Sequence, residues 1–222
     1  MKNSLFLRMG GVLLIYFLIV YFGGSIGQQL MYPIVLLVTF LHEFGHALGA
    51  LITGGEVVAL QVSSDGSGFA TTRGGNIAII LMGGYLGSAI LGNLLLYIGA
   101  HGQRLAKITT YALAVFMVGS GILWFNSFYT TGFLLLFAFF LYFIAKNTNW
   151  DSELLMFLGL ASILHIIQDF NVGPSSDLQK YAEVMPFLSQ TGWMYLWLII
   201  AVLLTLFNLQ MVLKLRHRDS VL

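Results

Sequence analysis

Tyr32-Pro33-Ile34-Val35-Leu36-Leu37-Val38-Thr39-Phe40-Leu41-His42-Glu43-Phe44-Gly45-His46-Ala47-Leu48-Gly49-Ala50-Leu51-Ile52 is an apolar run with two imidazoles and a carboxylate set inside it. A helix needs about 20 such residues to cross the hydrocarbon core of a bilayer, so the run reads as a transmembrane helix. Ionisable side chains at that depth are costly unless something compensates them. Residues four apart lie on one helix face, so His42 and His46 can offer two imidazoles to one metal ion, with Glu43 beside the open coordination position. With five His and four Glu in the chain, composition alone would produce this pattern in roughly one such sequence in 500. The competing reading is a set of interhelical hydrogen bonds.

The rest of the chain agrees with a lipid solvent. Hydrophobic residues make up 58% and charged residues 9%, and the mean hydropathy is +0.88, too apolar for a surface that water must wet. The 222 residues allow about six or seven transmembrane helices and no sizeable soluble domain. Apolar runs place them near 9–29, 32–52, 76–99, 106–125, 129–145, 153–169 and 191–213. The first run follows Lys2 and Arg8 and lacks a small-x-small cleavage site before Gln28-Gln29, so it reads as a retained span rather than a signal peptide. Net charge is +1 with scattered cations, which offers no surface for nucleic acid. With no Cys, disulfides and thiolate ligands are excluded, and any metal must rest on His and carboxylates. The partner implied is the lipid bilayer, around one integral, multi-pass domain over residues 1–222, most simply in the cell membrane.

One segment breaks the helical pattern. Val57, Val58, Leu60 and Val62 lead into Ser64-Asp65-Gly66-Ser67 and then Phe69-Ala70-Thr71-Thr72, which predicts a membrane-associated β-hairpin over about 56–73 with an Asp-Gly turn. The fold class expected is therefore all-α and polytopic with one small hairpin. After it, Gly83-Gly84-Tyr85-Leu86-Gly87-Ser88 and Gly92 give a helix whose small residues admit a neighbouring backbone.

Two His leave a tetrahedral metal one protein ligand short if water takes the fourth position. Asp169 and Asp177 both lie in the polar stretch Gln168–Asp177, expected to be a non-helical interruption between spans. Asp65 reads as a turn residue, Asp151 as a helix N-terminal residue and Asp219 as tail, while His101 and His217 read as solvated. His165 stands four residues before Asp169, as a hydrogen-bonded companion or a rival site.

In these features the chain resembles the site-2 protease class of intramembrane metalloproteases, and more closely its compact, PDZ-free, peptidase M50B-like branch. The resemblance covers residues 32 to about 180 and rests on His42-Glu43-Phe44-Gly45-His46-Ala47, the hairpin after Gly54-Gly55 and the glycine-rich helix that follows, in that order. It implies a zinc ion on His42, His46 and a distant Asp, with Glu43 as the catalytic base. In the class that Asp follows an Asn-x-x-Pro element; here Asn171-Val172-Gly173-Pro174 precedes Asp177, which makes Asp177 the third ligand and Asp169 the reserve. The usual Leu-Asp-Gly is replaced by Ser176-Asp177-Leu178, after a shorter spacer. The resemblance further implies hydrolysis of peptide bonds in or near transmembrane segments of membrane-protein substrates, as regulated intramembrane proteolysis. The alternatives are a transporter, which would spread its charges over several helices, and a non-proteolytic zinc-binding scaffold, which would not need Glu43.

Overall fold

The computed structural model describes residues 4–172 and 176–218, with side chains described for 7–165 and 176–213. In chain order they form α1 (Ser4–Phe17), a π-helical turn (Leu18–Phe22), α2 (Gly24–Ile52), β1 (Glu56–Val62), β2 (Gly68–Arg73), α3 (Ile77–His101), α4 (Gln103–Leu123), α5 (Phe128–Asn147), α6 (Asp151–Val172), α7 (Ser176–Val184) and α8 (Gln190–Arg218). Among the described residues, five helices are long and apolar enough to cross a membrane: α2, α3, α4, α5 and α8 from Gln190 to Leu213. This is an all-α polytopic membrane fold carrying one two-stranded antiparallel sheet.

Two boundaries differ from the sequence reading. The break expected between the first two runs, at 30–31, lies instead at Gly23-Gly24, where Gly24 takes a φ of +55°. Only glycine enters that left-handed region cheaply, whereas Gln28, Gln29 and even Pro33 stay inside α2. The proline removes one ladder hydrogen bond, which a membrane helix tolerates when its surroundings satisfy the freed carbonyl. Likewise Gln168 to Val172 continue α6 rather than interrupting it. Polar side chains at helical spacing do not by themselves stop a helix, because their backbone groups still pair within it.

α3 is the centre of the packing, and its glycines explain how. A Cβ on Gly45 of α2 would strike the Gly83 carbonyl, and one on Gly83 would strike the Gly45 carbonyl. The two helices therefore touch backbone to backbone at the His-containing turn. On its other side α3 meets α6, where a Cβ on Gly159 would lie 2.5 Å from the Gly92 carbonyl oxygen. Without a hydrophobic force between helices in lipid, such close approach and interhelical hydrogen bonds are what hold them. α8 is tied to α3 by the Asn208 side-chain N–H, which donates to the Asn93 carbonyl (2.8 Å) and its Oδ1 (3.0 Å).

The hairpin forms where expected and is fastened over α2. Its register pairs Leu60 with Ala70 and Val62 with Gly68, with a bulge at Val58. Asp65 is the turn residue, accepting from the Ser67 N–H (2.9 Å) and hydroxyl (2.6 Å). Tyr32 and Thr39 of α2 donate to the turn carbonyls of Ser64 (2.7 Å) and Gly66 (2.8 Å). The outer edge of β1 is closed at Val62, whose N–H and carbonyl both bond the Thr130 hydroxyl of α5, each at 3.1 Å.

Candidate metal centre

His42 and His46 project from consecutive turns of α2 toward α3 and α7, as their spacing requires. The His46 Nδ1–H donates to the Ile80 carbonyl at 2.7 Å, which fixes the tautomer and leaves the Nε2 lone pair facing inward. His42 is held edge-on to the ring of Tyr85, with centroids 4.6 Å apart and planes at 88°. The third partner arrives from 135 residues away: Asp177, in the first turn of α7, brings Oδ2 to 3.2 Å from His42 Nε2 and 3.3 Å from His46 Nε2. The two Nε2 atoms are themselves 3.2 Å apart.

These three donors form a nearly equilateral triangle with edges of 3.2, 3.2 and 3.3 Å. A tetrahedral ion with bonds of about 2.0 Å separates its ligands by about 3.3 Å, the edge found here. The chemistry also fits a cation. Three atoms that would all present lone pairs converge in a half-buried site, with side-chain exposures of 17%, 8% and 21% for His42, His46 and Asp177, and too few protons to satisfy them all. Burial pushes the Asp177 carboxyl up, but the two imidazoles of His42 and His46 beside it outweigh that and hold the group well below the usual carboxylate range. Asp177 is thus an anion, and its place at a helix N-terminus favours that state.

Glu43 is 6% exposed and lies within electrostatic reach of His42, His46 and Asp177. β2 covers it. A Cβ on Gly68 would lie 2.9 Å from the Glu43 Oε1, and the Ala70 N–H faces the same carboxylate. Gly84 of α3 closes the other side, where a Cβ would lie 2.5 Å from His46 Nε2 and 2.6 Å from His42 Nε2. The glycines leave room for the polar groups.

Among the described residues, His42, His46 and Asp177 are the group of His and acidic side chains that converges on one point. Asp169 and Asn171 lie in α6, but their side chains fall outside the described residues, as do Pro174 and its neighbours. His165 lies outside the converging group and makes an interaction of its own. Asp151 begins α6 as expected, though fully buried, and accepts from the Gln103 side chain at 2.8 Å. Sequence reasoning missed α7, Tyr85 and the Ile80 carbonyl. Only α7 had a legible signal, the Asp177, Leu178 and Tyr181 spacing of a short amphipathic helix.

Apolar helices around this enclosed polar centre define an integral, multi-pass membrane protein with the makings of a hydrolytic site. The chain belongs to the Peptidase M50B-like family, whose model matches residues 9–208, and so to the site-2 class of intramembrane proteases. No curated protein and no solved structure matches it.

Proposed function

We propose that this chain is a zinc metalloendopeptidase that hydrolyses peptide bonds in or near the transmembrane segments of other membrane proteins. His42, His46 and Asp177 hold the ion and Glu43 is the general base, all within one domain over residues 1–222. The observation that carries this reading is the triangle of donors at tetrahedral spacing with a buried glutamate beside it. Zinc, when bound, supplies the Lewis acidity that acidifies water and polarises a peptide carbonyl. Glu43 takes a proton from the attacking water and returns it to the leaving amide nitrogen, so no acyl-enzyme is needed. A structural metal would have no use for that carboxylate, and a transport path would spread its charges along several helices.

A transmembrane substrate hides its scissile carbonyl in its own hydrogen-bond ladder, so it must unwind and find new backbone partners. The hairpin is suited to provide them by strand addition. Of its two edges, β1 is closed by Thr130 at Val62, while β2 directs the Ala70 N–H toward Glu43. The β2 edge is therefore the one that brings an extended substrate to the base. Release of a membrane-tethered factor is the use such cleavage serves.

The deciding experiment compares the wild type with Glu43→Gln in detergent for bound zinc and for cleavage of a panel of transmembrane peptides. Equal zinc, with cleavage reduced about 10²- to 10⁴-fold in the variant, is expected for loss of a general base. A folded wild type without zinc, or a variant that cleaves as fast, would overturn the reading.

A further inference from the structure

The third ligand is carried by an element with little to anchor it. α7 has nine residues, too short to cross a membrane, and its buried residues are Leu178 and Tyr181. Gln179, Lys180 and Glu183 are exposed. Leu178 is fully buried, and Tyr181 is 3% exposed. The Tyr181 ring sits between two indoles of α8, edge-on to Trp193 (4.8 Å, 87°) and inclined to Trp197 (4.8 Å, 67°). Its hydroxyl donates to the Met82 sulfur of α3 at 3.1 Å. Trp197 in turn stands 6.0 Å from Tyr85, the ring that flanks His42. One aromatic chain thus runs from α7 through α8 to the first imidazole.

Asp177 and Tyr181 are four residues apart on this helix, hence on one face and a single turn apart. Whatever seats Tyr181 seats the Asp177 carboxylate. We infer that Tyr181 is a positioning residue for the metal centre: its ring, clasped by Trp193 and Trp197, docks α7 and so sets how strongly the chain holds its ion. This rests on the reading of His42, His46 and Asp177 as metal ligands. An ion whose third donor is in place for only a fraction of the time binds with its affinity reduced by that fraction.

The test is a chelator-competition titration of zinc on the purified full chain in detergent, for the wild type, Tyr181→Ala, Tyr181→Phe, Asp177→Ala and the double variant Asp177→Ala/Tyr181→Ala. Tyr181→Ala should bind zinc about 10- to 100-fold more weakly. Tyr181→Phe, which keeps the ring and loses a weak hydrogen bond to sulfur, should stay within about threefold of the wild type. Once Asp177 is gone, removing Tyr181 should cost no further affinity, because its effect runs through that carboxylate. Thermal unfolding in excess chelator reads the fold of each variant apart from the metal. Should Tyr181→Ala prove unstable there, Tyr181→Leu keeps an apolar side chain between the indoles and is held to the same non-additivity with Asp177→Ala. Wild-type affinity in a folded Tyr181→Ala, or a full additional loss in the double variant, overturns the positioning role alone. A wild type that binds no zinc overturns the metal reading along with it.

Discussion

Replacing Gly84 by alanine puts a methyl group 2.5 Å from His46 Nε2 and 2.6 Å from His42 Nε2. Non-bonded contact settles near 3.5 Å, so something must yield by about 1 Å. Neither imidazole is free to do so. His46 is tied through Nδ1 to the Ile80 carbonyl at 2.7 Å, and His42 has the Tyr85 ring 4.6 Å away on one flank. α3 can retreat only by separating Gly83 from Gly45, the backbone contact that joins it to α2. The methyl also points at the lone pairs a metal would use. Disturbing a hydrogen-bond partner of a metal ligand typically costs 10- to 100-fold in affinity. Displacing two ligand atoms should cost about 100-fold or more, which is about 2.7 kcal/mol. Zinc affinity would be measured by chelator competition, with thermal unfolding in excess chelator to show that the apo fold survives. Gly132→Ala on α5 is the control, since no atom lies within 4 Å of the added carbon, and it should bind like the wild type. A folded Gly84→Ala that holds zinc within about threefold of the wild type would refute the geometry assigned to the centre.

Gly45→Ala tests the helix contact rather than the ligands. Its Cβ would be driven into the Gly83 carbonyl, and overpacking of this kind should cost about 1–3 kcal/mol, read as a lower melting temperature in excess chelator. An unchanged melting temperature would mean the two backbones are not in contact. Ala70→Pro removes the N–H that faces Glu43 and should lower cleavage of transmembrane peptides at least tenfold through the loss of one backbone partner to the site. Zinc content and thermal stability should stay near wild type. Equal loss of cleavage, zinc and stability would reduce the hairpin to a structural plug.

Most of the architecture was legible because its causes are local. The Tyr32–Ile52 run declares its solvent by composition, and the four-residue spacing of His42 and His46 puts two imidazoles on one face whatever surrounds them. The hairpin was readable from alternation around Ser64-Asp65-Gly66-Ser67, and Asp65 makes the turn bonds its side chain favours. The glycines of α3 announced a close backbone neighbour without saying which one. The helix breaks were harder. Gly23-Gly24 decides the first because of a left-handed φ, and the apolar runs point elsewhere, to residues 30–31 that α2 absorbs. Gln168 to Val172 are polar enough to resemble a loop, yet they extend α6.

By itself the sequence determined a membrane protein, two imidazoles on one helix face, a carboxylate beside them and a hairpin next in order. Only the tertiary structure decided which distant carboxylate meets those imidazoles. Asp177 closes on His42 across 135 residues because α7 is docked through Leu178 and Tyr181 against α3 and α8. It also decided that β2 rather than β1 faces Glu43, since Thr130 of α5 occupies the other edge. Periodicity fixes what lies within a few residues along one helix or strand. Which elements then share a centre depends on how glycine seams and aromatic contacts pack them together, and no local pattern carries that information.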